Sequence, residues 1–134
     1  MSEIEYRIEP HLSDTDLNHL FASTWKNHAG RSFGPVLSRS LTYVGAFDGP
    51  RLVGFVNVAW DGGVHGFVLD TTVHRDYQRR GIGTEIMRRA AEIAAKRGLE
   101  WLHVDYEPHL HAFYQRCGYR KTEAGLLSLQ KAAI

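Results

Sequence analysis

Polar and apolar positions alternate from the start of the chain. Ile4, Tyr6 and Ile8 are separated by Glu5 and Arg7, the period of a half-buried strand, and Pro10 closes the run. The period then lengthens. Ser13 or Asp14 fits a helix N-cap, and Leu17, Leu20, Phe21, Thr24 and Trp25 share one helical face, which predicts a helix over about 14–27. Residues 27–39 place Gly30, Gly34 and Pro35 among aromatic and basic residues and read as a loop or a broken short helix. Two β-rich runs, 41–47 and 52–60, flank Asp48-Gly49-Pro50 as a hairpin, and Asp61-Gly62-Gly63 leads into a third strand over 66–73. The clearest helix spans 82–97, with Ile82, Ile86, Ala90, Ile93 and Ala94 on one face and Gly98 as its stop. A short strand follows at 100–105. Pro108 then opens a helix carrying Leu110, Phe113, Tyr114 and Cys117 on one side, ended by Gly118, and 126–130 reads as a last strand.

This order predicts an α/β (α+β) fold: a mixed sheet with an antiparallel N-terminal meander, flanked by helices. The strands on either side of the 82–97 helix are expected to be parallel, as a helical crossover requires. There are no repeats, low-complexity tracts or linkers, so one domain over 1–134 is expected. The 134 residues are 43% hydrophobic and 23% charged, enough apolar material for a core. Sixteen basic and fifteen acidic residues leave a net charge of +1, which argues against a dedicated nucleic-acid or membrane-surface protein. A single cysteine excludes an internal disulfide, and no apolar run approaches a membrane span. The first ten residues lack the apolar stretch of a signal peptide, so a cytoplasmic location is expected.

The informative stretch is Val73-His74-Arg75-Asp76-Tyr77-Gln78-Arg79-Arg80-Gly81-Ile82-Gly83-Thr84. A strand ends, a basic glycine-containing turn follows, and a long helix begins. A helix start presents unpaired N–H groups and about half a positive charge. Glycines let an anion approach that backbone, and Arg75, Arg79 and Arg80 add charge, so the turn suits a pyrophosphate. No Gly-Lys-Ser/Thr ending is present for a nucleoside triphosphate loop, and Ile86 stands where the dinucleotide fingerprint needs a small residue. The plain alternative is a helix start with two ordinary glycines and solvated arginines.

Gln78-Arg79-Arg80-Gly81-Ile82-Gly83 resembles the Gln/Arg-x-x-Gly-x-Gly/Ala signature of the GNAT N-acetyltransferase superfamily. Downstream, 111–119 resembles the family's Ala-x-x-Phe/Leu-Tyr-x-x-x-Gly-Phe/Tyr segment, at fitting distance. The resemblance implies a parallel strand pair splayed around acetyl-coenzyme A, the acyl donor. Thr71, Thr72 and Val73 would pair with the pantetheine arm. Gln78, Arg79, Arg80, Gly81, Ile82, Gly83 and Thr84 would form the pyrophosphate loop, with the Ile82 side chain turned into the core.

Tyr114 matches the tyrosine that many members use as general acid. A thiol of pKa about 8.5 and a phenol of about 10 are close enough for that transfer. As a plain alternative, Tyr114 is a core aromatic on an amphipathic helix. Glu107 stands where many members carry Asn near the start of this helix. Asp70, Asp105 and Glu107 are candidate bases or acceptor contacts; Asp70 is notable as a carboxylate in an apolar strand, or it is simply hydrogen-bonded there. The acceptor side would be roofed by about 24–38, with Trp25, His28, Arg31 and Phe33, facing Trp60, Asp70 and Asp105. Aromatic walls and carboxylates suit a small cationic primary amine; alternatively, Trp25 and Phe33 simply cover the sheet. A homodimer is left open. His103-x-Asp105 places two ligand types on one strand face, but His109 and His111 diverge on a helix, so no metal is expected. Cys117 lies on the apolar helix face and reads as structural rather than nucleophilic. A non-catalytic acyl-coenzyme A sensor on the same fold is the main rival.

Overall fold

The computed structural model describes residues 3–130, which divide into two compact units, one running to Val104 and the other from Asp105. The first unit holds a five-stranded sheet in the order β1 (Ile4–Ile8), β2 (Thr42–Asp48), β3 (Arg51–Trp60), β4 (His65–Val73) and β5 (Trp101–His103). The first four strands are antiparallel neighbours; β4 and β5 are parallel. This is the mixed sheet expected from the sequence.

Each face of the sheet is closed by one main helix. On one side lies α1 (Asp14–Thr24), capped by Ser13, whose Oγ accepts from the Asp16 N–H at 3.0 Å. Its buried Leu17, Leu20 and Phe21 meet Phe33, Phe47, Leu52 and Phe55 in one cluster. The helix stops at Thr24, earlier than its apolar period, because Trp25 turns to extended backbone and binds the sheet instead. A single helical turn, α2 (Gly34–Leu37), follows the loop, in keeping with a broken helix.

The other face is closed by α3 (Ile82–Lys96), which buries Ile82, Ile86, Met87, Ala90 and Ala94 against β2, β3 and β4. Gly54 on β3 permits that contact. A Cβ there would lie 3.1 Å from Ile82 Cγ2, so the start of α3 sits close to the sheet. The phosphate-loop candidate is thereby tied to the core by Ile82, which is 2% exposed, as expected.

In the second unit a 3₁₀ turn at Pro108–Leu110 leads into α4 (His111–Arg116). Residues 126–130 form no strand, contrary to the sequence reading, and Leu126, Leu127 and Leu129 are each at least 84% exposed. Among the described residues no neighbouring strand pairs with this run, and an extended segment without a partner leaves its backbone to water.

Candidate active site

The parallel pairing of β4 and β5 is brief. It joins His65, Gly66 and Phe67 to Trp101, Leu102 and His103, and β4 continues to Val73 without a further β5 partner. Because β5 ends at His103, the β5 side of β4 over 68–73 has no paired strand among the described residues. Thr71, Thr72 and Val73 lie along this stretch, where backbone groups can pair with an extended ligand.

At the same end of β4 the chain turns through a 3₁₀ turn, Arg75–Tyr77, into α3. Gly81 is the N-cap, at φ 82° and ψ 4°, and no side chain among the described residues caps the helix. Among the described residues nothing lies within 4 Å of where a Gly81 Cβ would project, so the helix start is open. Arg79 also has positive φ, 65°, which points successive N–H groups to one side in the manner of an anion nest. Gln78 Nε2 donates to Val73 O at 3.0 Å and holds the turn to the strand end. Tyr77 braces it from below: its hydroxyl donates to Asp48, and the Arg80 guanidinium lies 5.0 Å from its ring centre. Arg79, Arg80, Gly81 and Thr84 are exposed and Gly83 is partly so. An uncapped helix start, left-handed glycine and flanking guanidiniums fit a pyrophosphate, and the unpaired edge of β4 fits the extended arm of a coenzyme A thioester.

His74, between strand and turn, is 8% exposed. Its Nδ1 accepts from the Asp76 N–H at 3.1 Å, and its Nε2 lies 2.9 Å from Arg51 Nη2. Both ring nitrogens face N–H donors, so an imidazolium would meet donors at both ends. Burial first, and then the Arg51 charge, hold its pKa below the ordinary 6.5. The unfolded chain therefore takes up this proton at higher pH than the folded one. The stability His74 contributes is complete above pH 6.5 and is lost as the pH falls below it. We expect the melting-temperature gap between wild type and His74→Gln to narrow on titration from pH 7.5 to 5; a constant gap would contradict this assignment.

Asp70 sits at a bulge. Phe55 pairs with Thr72 and Asn57 with Leu69, so Val56 alone opposes Asp70 and Thr71. Asp70 has φ 60°, a left-handed conformation that aspartate tolerates better than most residues. Thr72 is 2% exposed and holds the bulge from both sides: its Oγ1 donates to Asp70 O at 3.1 Å and accepts from Trp25 Nε1 at 3.0 Å. Thr24 Oγ1 donates to Val73 O at 3.0 Å. The end of α1 is thus stitched to the strand that carries Asp70. Asp70 Oδ1 is 3.5 Å from Arg31 Nη2, so the carboxylate expected to face a cationic acceptor already has a cation beside it.

The expected acceptor wall is only partly assembled. Trp25 stays 48% exposed beside Thr72. Phe33 is 1% exposed and belongs to the core, its ring edge-on to Phe21 and covered by the Arg31 guanidinium, so it offers no open wall. Trp60 pairs with Gly66, four residues before Asp70, about 13 Å of strand away at the usual rise. It is not brought to the bulge. His103 stacks on Phe67 and meets His65, Nε2 to Nδ1 at 2.8 Å, rather than acting with Asp105.

Asp105 and Glu107 belong to the second unit, both exposed. There Tyr114 is buried within an aromatic group: Tyr106 stacks on it at 4.7 Å, with Phe113 and Tyr119 edge-on at 5.0 and 5.9 Å. Tyr106 is itself fixed by His111, hydroxyl to Nδ1 at 2.9 Å. Burial pushes the Cys117 thiol up, which disfavours the thiolate an acyl-enzyme would need.

Sequence reasoning missed three contributors. Asn18 on α1 clamps the loop, its Nδ2 donating to Arg31 O at 2.8 Å and its Oδ1 accepting from Arg31 N at 3.1 Å. Asn57, across from Leu69, is 1% exposed; Ser40 donates to its Oδ1, while its buried Nδ2 has no partner among the described residues. Arg51 is the partner of His74. All are through-space pairings that no local pattern announces.

With this geometry in place, the comparisons agree. The sequence matches the Acetyltransferase (GNAT) family over residues 6–119. It is 28% identical over 109 residues to an uncharacterized ycf52-like N-acetyltransferase of Prochlorococcus marinus, covering 78% of this chain and 61% of that one. Over 58 residues it is 38% identical to a probable glucosamine 6-phosphate N-acetyltransferase of Oryza sativa, covering 43% of this chain and 35% of that protein. The chain thus spans less than two thirds of these curated relatives. Among solved structures, a GNAT-family acetyltransferase of Streptococcus pneumoniae superposes with TM-score 0.82 at 24% identity, covering 96% of this chain and 99% of the other. An aminoglycoside N-acetyltransferase solved with coenzyme A superposes with TM-score 0.74 at 15% identity, covering 98% and 97%. The chain belongs to the acetyltransferase (GNAT) family.

Proposed function

We propose that the chain acts in the cytoplasm, as one acetyltransferase domain, and moves the acetyl group of acetyl-coenzyme A directly onto the primary amine of a small acceptor. The observation that carries this reading is the stretch of β4 left unpaired beyond the short β5, next to an uncapped, glycine-started helix. In this reading the β4 backbone at Thr71, Thr72 and Val73 pairs with the donor's arm, and 78–84 holds its pyrophosphate. The thioester supplies an activated acyl carbon.

The chain's own groups supply the proton transfers. An alkylammonium of pKa about 10.4 costs roughly 4–5 kcal/mol to deprotonate at pH 7. Asp70, on its bulge, receives that ammonium and its proton, directly or through water. The nitrogen–carbon bond forms, the carbon–sulfur bond breaks, and Tyr114 gives a proton to the departing sulfur. Trp25, beside Thr72, walls the acceptor. A small amine is also supported by the similarity to the probable glucosamine 6-phosphate N-acetyltransferase of rice.

Initial-rate kinetics with acetyl-coenzyme A and a panel of amines, read by thiol release, test the reading. Intersecting double-reciprocal lines are expected. Parallel lines or acetyl trapped on Cys117 would refute direct transfer. Ligand binding without thiol release from any amine would leave a sensor in its place.

A further inference from the structure

Among the guanidiniums of the first unit, Arg31 is held in an unusual way. Its backbone is clamped through both N–H and C=O by the Asn18 side chain, and His28 Nε2 lies 2.8 Å from the same Asn18 Oδ1. Two residues on, the Phe33 N–H donates to Asp14 Oδ1 at 2.8 Å. The loop is therefore anchored to α1 on both sides of Arg31. The Arg31 guanidinium carbon lies 4.5 Å from the Phe33 ring centre and 5.7 Å from that of Phe21, both rings being buried. A flat cation resting on aromatic faces loses little further freedom when it binds a ligand.

Yet this guanidinium is not used up. Its side chain is 45% exposed, it makes no hydrogen bond among the described residues, and its only ion pair is the 3.5 Å contact with Asp70. Arg88, Arg89, Arg97 and Arg75, by contrast, donate hydrogen bonds to carboxylates or carbonyls. Asp70 is 30% exposed at its side chain and is aimed by the bulge. A preorganised positive group and a preorganised negative group thus stand side by side on the acceptor side of β4.

We infer that Arg31 is a specificity-determining residue that binds an anionic group of the acceptor, so that the acceptor is a primary amine carrying a carboxylate or phosphate close to its nitrogen. The inference rests on the acyl transfer proposed at this site. The ammonium meets Asp70 and the anion meets Arg31, each replacing the long contact between the two with a charge-assisted hydrogen bond. Arginine's fork of donors suits carboxylate and phosphate oxygens alike. A polycation would instead be repelled by the guanidinium at the carboxylate it needs.

Matched amines test this: glycine against glycinamide for the carboxylate, O-phosphoethanolamine against ethanolamine for the phosphate, and spermidine as a polycation. Each is measured by thiol release and by calorimetric binding in the presence of coenzyme A. Wild type should prefer the anion-bearing member of at least one pair by about tenfold or more in kcat/KM or in affinity. The pair that shows the preference identifies the anion. Arg31→Gln should bring that ratio close to one, and Arg31→Lys should retain part of it, which separates loss of charge from loss of fold. A wild-type preference for spermidine or the neutral amines, a ratio unchanged in Arg31→Gln, or no amine binding at all would overturn the inference. Arg31-dependent binding without thiol release would uphold it and defeat the proposed transfer; thiol release with spermidine alone would do the reverse.

Discussion

Gly81→Glu should abolish the stabilisation that acetyl-coenzyme A gives the wild-type chain while leaving the fold in place. Gly81 caps α3 at φ 82°, and the space beyond its α-carbon is open. A side chain there meets no wall; its cost is the left-handed backbone, about 1–2 kcal/mol. A carboxylate at a helix start returns about 0.3–1 kcal/mol through the helix dipole. The ligand-free melting temperature should therefore drop only modestly. The carboxylate, however, takes the N–H groups and positive field that a pyrophosphate would use. For wild type, ligand at a hundredfold excess over its dissociation constant should add about 2.7 kcal/mol, a rise of several degrees. Gly81→Ala, which meets the same backbone cost without the charge, should keep much of that rise. A melting shift retained in full by Gly81→Glu would remove the loop from the binding site.

The loop was legible in the sequence because its parts are local. A strand end, glycines and the start of an amphipathic helix all lie within a dozen residues, and backbone chemistry at a helix start does not depend on distant packing. The antiparallel meander and the parallel crossover were legible for a related reason: turn residues and the 82–97 period dictate them between adjacent elements. What failed is what depends on register and on partners. Residues 126–130 read as a strand, but a local run cannot show whether a neighbour exists. Trp60 and Asp70 sit on adjacent strands, yet the pairing of Trp60 with Gly66 sends them apart along the sheet.

The segment expected to face an acceptor was legible in composition and not in arrangement. The segment 24–38 is rich in aromatic and basic residues, and nothing local says which of them turn inward. Phe33 does, because the single turn of α2 and the Asp14 carboxylate fix its backbone over the α1 cluster. Arg31, two residues earlier, is left outside and reaches a carboxylate 39 positions along the chain. Asp70 was conspicuous as a charge in an apolar strand. Its bulge was not, because the extra residue shows only in how β3 and β4 align. The Arg31–Asp70 pair is thus a product of long-range pairing, in which single residues of opposite charge meet across elements.

Tyr114→Phe should lower kcat by roughly a hundredfold, close to 2.7 kcal/mol of transition-state stabilisation, with little change in the acetyl-coenzyme A melting shift. The variant is conservative for packing. Tyr114 is 6% exposed, and Tyr106, Phe113 and Tyr119 contact its ring, which phenylalanine retains. Removing one hydroxyl hydrogen bond costs about 0.5–1.5 kcal/mol of stability, too little to unfold an ordinary domain. The expected pattern is a folded, donor-binding protein with slow chemistry. Cys117→Ser should keep near-wild-type rates, because burial holds that thiol protonated and direct transfer does not use it. The pair of variants separates the mechanisms. If Cys117→Ser were the slow one and Tyr114→Phe retained full kcat, the reaction would proceed through an acyl-enzyme with another group or water protonating the departing sulfur. If both retained full rates, the chain would release coenzyme A without the help of either residue, and the aromatic group around Tyr114 would be purely structural.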